Sequence, residues 1–173
     1  MRSRGEASRH VVVTGLMGIG KTTTASAAAK ALGWSAHDSD DDIETLFGIS
    51  GRVLTEELGV DELHRLESAV LLGALVADEP SLISAAASVV EDPRCVEAMA
   101  RRSTVVVLDA PLDVVFARAS RGRHRRSMTR EALAAVADRR APRFAQVADL
   151  RLDATQPVRR LVDAIVAASA TAC

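Results

Sequence analysis

The sequence predicts an α/β protein of three layers, α/β/α, built on a central five-stranded parallel sheet. Three observations carry that expectation. Five short apolar or β-prone runs alternate with helical patterns, which favours parallel strands joined by crossover helices. The first run breaks into a glycine-rich turn that opens a helix. The polar clusters of interest each follow a strand, where ligands of parallel sheets gather. With 173 residues, 48% of them hydrophobic, the chain is long enough for one domain, expected over residues 10–173 after a loose basic arm of residues 1–9.

The first strand is Val11-Val12-Val13-Thr14, apolar on both faces as a buried parallel strand should be. Gly15-Leu16-Met17-Gly18-Ile19-Gly20-Lys21-Thr22 follows and fits G-x-x-x-x-G-K-[ST], a phosphate-binding loop, or P-loop. Backbone N–H groups must wrap a phosphate at a helix N-terminus, and side chains at Gly15, Gly18 or Gly20 would obstruct that approach. Lys21 is expected to neutralise the phosphate oxygens, and the Thr22 hydroxyl to meet Mg²⁺. The helix that follows is stopped by Gly33.

A second short strand, Trp34 to His37, ends in the acidic run Asp38-Ser39-Asp40-Asp41-Asp42. Ile43, Leu46 and Phe47 then lie at helical spacing up to Gly48, and Val53 to Leu58 forms another short helix closed by Gly59. Asp61 opens a long helix with Leu63, Leu66, Val70, Leu71 and Leu75 facing the core, expected to end near Asp78-Glu79-Pro80. Ser81-Leu82-Ile83-Ser84 is the third strand, followed by Ala85-Ala86-Ala87 and a helix start at Glu91-Asp92-Pro93. Thr104 to Asp109 is the fourth strand, and Pro111 opens a helix through Val115, Phe116 and Ala119. Arg118 to Arg130 is dense in arginine and reads as a mobile loop. Glu131 to Val147 is helical, Asp149 to Asp153 is the last strand, and Pro157 to Ala168 is a terminal helix.

Composition excludes several classes. Lys and Arg number 22 against 23 Asp and Glu, so nothing draws the whole chain to nucleic acid or an anionic membrane. Aromatics are 2%, too few for base-stacking modules. Cys95 and Cys173 make neither a disulfide framework nor a metal spacing and read as passive thiols in a reducing cytoplasm. No apolar run is long enough for a signal peptide or a membrane span. A cytoplasmic monomer acting on a small molecule, with no nucleic-acid or membrane partner, is expected.

The P-loop, the segment Asp38-Ser39-Asp40-Asp41-Asp42-Ile43-Glu44, and Arg140-Ala141-Pro142-Arg143-Phe144-Ala145-Gln146-Val147-Ala148-Asp149 together resemble the shikimate kinase family from about Val11 onward. The last segment echoes that family's R-x-P-L-Y-x-E-V-A-D. The resemblance implies a P-loop kinase fold and ATP-dependent transfer of the γ-phosphoryl to a hydroxyl of shikimate or a related small polyol or cyclitol acid, with ATP and Mg²⁺. It implies that Gly15, Gly18, Ile19, Gly20, Lys21, Thr22 and Thr23 bind nucleotide, with Arg118 packing on adenine. Thr22 and Asp38 would hold the metal shell. Asp40 would position the acceptor hydroxyl or take its proton, and His64, Ala86 and Arg140 would face the acceptor. The arginine-rich segment at about 118–130 would be a lid, with Arg125 as its catalytic arginine beside Lys21 and Asp40, and with Arg123 or Arg126 as alternatives because Arg125-Arg126-Ser127-Met128 departs from the family's Arg-Pro-Leu-Leu. Asp41 and Asp42 read as helix-dipole partners. Asp109, a rival metal ligand at the end of an apolar strand, reads instead as a strand terminator.

The acceptor half departs from the family pattern. His64 stands where G-E-x-x-F-R has its arginine, with Leu63 at the aromatic position, and Arg65 points about 100° away around the helix. Ala85-Ala86-Ala87 replaces a run of three glycines. An alanine forced to positive φ costs roughly 1–2 kcal/mol, so this loop is expected to take another path or enclose another ligand. A nucleotide-binding regulatory or partner protein that has lost transfer is the alternative function; a gluconate or nucleoside kinase is a third.

Overall fold

The computed structural model describes residues 10–121 and 129–170. The strands are β1 (His10–Thr14), β2 (Ser35–Asp38), β3 (Ser81–Ser84), β4 (Ser103–Asp109) and β5 (Leu150–Asp153). They pair in parallel in the order β2-β3-β1-β4-β5, with Val12 opposite Ile83 on one side and Val105 on the other. The helices are α1 (Lys21–Leu32), α2 (Ser39–Phe47), α3 (Gly51–Leu58), α4 (Val60–Leu75), α5 (Pro93–Arg102), α6 (Leu112–Ala119), α7 (Arg130–Val147) and α8 (Val158–Ala170), with a 3₁₀ segment at Ala87–Glu91.

Side chains alternate across the sheet, so β1 feeds two cores at once. Val11 and Val13 join Ala25, Ala28, Val106, Leu108, Leu161 and Ile165 beneath α1 and α8. Val12 joins Leu71, Leu75, Ile83, Val105, Met99 and Phe144 beneath α4, α5 and α7. These are the two outer layers that the alternation of elements predicts. A third cluster, Ile43, Leu54, Leu63 and Leu66, welds α2, α3 and α4 into a platform beside the C-terminal edge of the sheet. No helix among the described residues is long and apolar enough to cross a membrane.

Several boundaries differ from the sequence expectation, each for a local reason. α4 stops at Leu75, where the Val76 and Ala77 N–H groups tighten onto the Gly73 and Ala74 carbonyls at 3.4 and 3.3 Å, and the Ala77 carbonyl then accepts from Nε2 of the buried His10 at 3.2 Å. The helix expected to start at Glu91 is capped by the Asp92 carboxylate with Pro93 at its first position, which frees Glu91 to close the 3₁₀ segment. Arg118 and Ala119 belong to the last turn of α6, and Arg130 to the first turn of α7, so the expected loop is shorter at both ends. Residues 122–128, and with them Arg123, Arg125 and Arg126, lie outside the described residues, as do residues 1–9 and Cys173. Cys95 is fully buried with its thiol on the Ser68 carbonyl, and burial pushes its pKa up to about 11, as an inert core thiol requires.

Ala85-Ala86-Ala87 follows no strained path. Ala85 N–H continues the sheet by donating to the Val13 carbonyl at 2.9 Å, Ala86 has φ −58°, and Ala87 begins the 3₁₀ segment. No described residue other than glycine has positive φ. The alanines are accommodated because this turn uses ordinary backbone.

Candidate functional site

At the C-terminal edge of β1, β2 and β3 a cleft of about 510 Å³ brings together Gly18, Gly20, Lys21, Thr22, Thr23, Asp38, Asp40, His64, Ala86, Arg118 and Arg140. Most of the residues expected to act thus share one cavity. β1 delivers the P-loop, β2 delivers Asp38 and the first turn of α2, and β3 delivers Ala86. Helix α4 contributes His64, and α7 contributes Arg140. Among the expected residues that are described, Gly15 and Ile19 do not line it. Ile19 is buried in the core, where its N–H donates to the Leu16 carbonyl at 3.3 Å and its own carbonyl accepts from Arg118.

The P-loop glycines are required for different reasons. A Cβ on Gly15 would lie 2.6 Å from the Leu108 carbonyl oxygen, and one on Gly18 would lie 2.7 Å from the backbone nitrogen of Ala119. Both clashes are with the protein's own backbone rather than with a phosphate. Gly20, with φ +107°, has nothing within 4 Å of where a Cβ would stand. That open position sits at the N-terminus of α1, which no side chain caps, so the amides of the first turn have no partner within the helix. An uncapped helix start of this kind suits an anion such as a phosphate. Gly18→Ala is expected to destabilise the fold by about 2–4 kcal/mol, combining backbone strain at φ +78° with overpacking, and to lower Tm by roughly 5–15 °C. Gly73→Ala, inside α4 with open space around it, should leave Tm unchanged or raise it. Thermal unfolding of the two variants checks the contrast.

Lys21 Nζ donates to the Gly15 and Leu16 carbonyls, each at 3.1 Å. An ammonium carries three donors, so one remains for the cradle. Desolvation pulls its pKa below the ordinary lysine value, against the opposing carboxylates of Asp40, Asp38 and Glu67, and Arg140 acts in the same direction as burial. Thr22 Oγ1 donates to Asp38 Oδ2 at 2.7 Å, while Asp38 Oδ1 accepts from the Asp40 N–H at 3.0 Å and so caps α2. No cluster of three or more His, Cys, Asp or Glu able to hold a metal exists among the described residues. One hydroxyl beside one carboxylate at a phosphate cradle is the sparse oxygen set that suits Mg²⁺, which keeps waters and leans on substrate phosphates. These residues fit the ion.

Sequence reasoning missed the roles of Glu67, Glu91 and Arg52 in this region. Glu67, buried on α4, accepts from the Ser88 hydroxyl. It stands three residues after His64, on the same helix face, and that spacing could have revealed it. Glu91 Oε2 accepts from Arg140 Nε and Nη2 at 2.9 and 2.8 Å, and its other oxygen accepts from Arg139 at 2.8 Å. Partial burial pushes the Glu91 carboxyl up, but the bonds from Arg139 and Arg140 outweigh it and hold its pKa below the ordinary range. Arg52, on the first turn of α3, lines the same cleft and donates to Glu56 at 2.7 Å.

The cleft's described arginines are therefore engaged to unequal degrees. Arg118 spans the Ile19 and Ala154 carbonyls at 3.3 and 3.0 Å, tying the P-loop to the turn after β5. The Arg140 pair is largely buried, and severing a buried pair by removing one partner costs roughly 3–5 kcal/mol. The Arg52 pair is exposed and spans one helical turn, a type worth roughly 0.3–0.5 kcal/mol. Arg65 is clamped in both directions by Glu62 on the outer face and is absent from the cleft lining, as its position on the helix predicts. Asp109 is exposed and paired with Arg151 at 2.8 Å, away from the phosphate cradle.

The protein-family model described as shikimate kinase matches residues 17–170. Shikimate kinases of Aromatoleum aromaticum and Xanthomonas euvesicatoria pv. vesicatoria are each 32% identical to this chain, over 147 and 148 residues. The alignments cover 83% of this chain and 83% and 82% of theirs. Among solved structures, a shikimate kinase from Acinetobacter baumannii in complex with shikimate has a TM-score of 0.86 at 23% identity, covering 94% of this chain and 93% of that one. A gluconokinase from Sinorhizobium meliloti 1021 has the same overall fold with a TM-score of 0.64 at 20% identity, covering 96% and 94%.

Proposed function

The chain belongs to the shikimate kinase family and is an ATP-dependent phosphotransferase acting on a hydroxyl, and from that premise we propose that its acceptor is shikimate or a related small polyol or cyclitol acid and its metal Mg²⁺. The observation that supports this most is the convergence of Lys21, Thr22, Asp38 and Asp40 on one cleft whose other wall carries His64, Ala86 and Arg140.

Each residue then has a task its position permits. The amides of the first turn of α1 bind the phosphate chain, and Lys21 sets a positive charge against the oxygens of the group in transit. Thr22 and Asp38 would hold Mg²⁺, which when bound neutralises the phosphate oxygens. Asp40, exposed in the cleft two residues after Asp38, orients the acceptor hydroxyl and receives its proton. Arg118 fixes the nucleotide side of the cleft against the turn after β5. His64, Ala86 and Arg140 shape the acceptor side. Arg125, to which the resemblance assigns the arginine over the transferring phosphoryl, lies outside the described residues.

The test is the initial rate of ADP release from Mg-ATP with and without shikimate. Saturable, shikimate-dependent release is expected. Nucleotide binding by calorimetry without stimulation by shikimate or any hydroxylated acid in a panel would instead favour a nucleotide-binding protein that no longer transfers.

A further inference from the structure

We infer that His64, on α4, is a proton-gated partner for the acceptor's acid: as imidazolium it joins Arg140 in holding the carboxylate, and Glu67 positions it. The grip on an acid then weakens as pH rises. This rests on the acceptor being a hydroxylated acid, as proposed above.

Arg140 gives Nε and one Nη2 proton to Glu91, which leaves Nη1 and the second Nη2 proton for an incoming carboxylate. Beside the cleft lies a second cavity of about 440 Å³, between the P-loop, the start of α4 and α7. Met17, His64 and Arg140 line both, so His64 and Arg140 stand together at the partition, and an acid held there by Arg140 lies against His64. α4 carries two basic residues, His64 and Arg65. Arg65 is held by Glu62 through Nε and Nη2 and lines neither cavity, so what α4 offers an acid is titratable. An imidazole changes charge within the physiological range, whereas a guanidinium does not. A neutral ring gives a carboxylate one weak bond, and a protonated ring gives a stronger one that also matches its charge.

Glu67 stands one helical turn after His64 on the same face and lines the same cleft. It is buried, and the Ser88 hydroxyl donates to its Oε2, which fixes the carboxylate from the side of the 3₁₀ segment. Its charge reaches the cleft, since it opposes the desolvation that pulls the Lys21 pKa down. A fixed negative charge one turn away favours the imidazolium over the neutral ring. Other charges face His64 from each neighbouring element. Asp61 lies on α4 itself, Asp40 on α2, Arg52 on α3, Glu91 at the end of the 3₁₀ segment, and Arg139 and Arg140 on α7. Lys21, Asp38 and Arg118 stand across the cleft, and no residue of α5 lines either cavity.

The experiment measures kcat/KM for shikimate from about pH 5.5 to 8.5, where a carboxylate stays ionised, in wild type, His64→Arg, His64→Gln and Glu67→Gln. Titrations at Asp40, Lys21 and the nucleotide are common to wild type and His64→Arg, so the ratio of the two isolates position 64. That ratio is expected to fall at least ~5-fold as pH rises through the imidazole range. The ratio of His64→Gln to His64→Arg should stay constant, and the analogue of shikimate with a primary alcohol in place of the carboxylate should show no fall. Glu67→Gln should move the midpoint of the fall to lower pH, with Tm showing that the variant is folded. Glu67→Asp, which withdraws the charge by one methylene, should move it part of the way and serves if the neutral variant does not fold. Turnover of shikimate with a ratio flat in pH, or an equal fall on the alcohol, would overturn the assignment while leaving the kinase reading intact. An unmoved midpoint in the folded Glu67 variant would overturn the part given to Glu67. Wild type that binds ATP but turns over neither acceptor would overturn the acceptor reading itself, and this inference with it.

Discussion

Replacing Lys21 with alanine is expected to lower kcat by at least ~10³-fold, a loss of about 4 kcal/mol of transition-state stabilisation. The size follows from where the ammonium sits. It is partly buried at the mouth of α1, with two of its protons on the Gly15 and Leu16 carbonyls and the third left for the cradle. Desolvation already pulls its pKa below the ordinary lysine value, so its charge is poorly solvated until a phosphate arrives. A charge held this way acts through a lower dielectric than water and has little solvent to reorganise. Steady-state ADP release gives the rate, and an unchanged Tm shows that the variant is folded. Undiminished turnover would remove the start of α1 from the phosphoryl site.

Asp40→Asn, the second large effect, is expected to lower kcat by roughly 10²–10⁴-fold while nucleotide affinity stays as it was. The substitution keeps the side-chain shape and removes only its charge and proton-accepting capacity. It also leaves the start of α2 intact, because the bond that caps the helix uses the Asp40 backbone N–H and the Asp38 carboxylate. Single-turnover rates together with calorimetric ATP binding separate the alternatives. If affinity for Mg-ATP falls instead of the rate, Asp40 belongs with Thr22 and Asp38 on the metal.

The nucleotide half of the cleft was legible in the sequence because a P-loop is made of backbone, and its glycines, Lys21 and Thr22 are local in the chain. The glycines also answer to demands that the phosphate argument does not include. At Gly15 and Gly18 the demand comes from the Leu108 carbonyl and the Ala119 backbone, partners about ninety to a hundred residues away that no local pattern reveals. The strand order was beyond reach for the same reason, although the alternation of strands and helices was enough to give five parallel strands with helices on both faces.

The acceptor half was harder. That Arg65 could not replace the residue at position 64 followed from helix geometry alone, and it turns to Glu62 as that geometry requires. The Ala85-Ala86-Ala87 turn avoids the strain that positive φ would impose on alanine, because the chain uses ordinary backbone there, and that path was not readable from the residues alone. Glu91 looked like a helix start beside Asp92 and Pro93. Only the fold shows that the cap is Asp92 and that Glu91 faces two arginines about fifty positions further on.

Asp38 uses one oxygen to hold Thr22 and the other to hold the amide of Asp40. On the proposed assignment a metal held by Thr22 and Asp38 would exchange the first of these bonds, and a rotation of the carboxylate would reach the second, at the amide of Asp40. The two ligands are then not independent. By thermodynamic linkage, whatever factor Mg-ATP contributes to acceptor affinity, the acceptor returns to Mg-ATP.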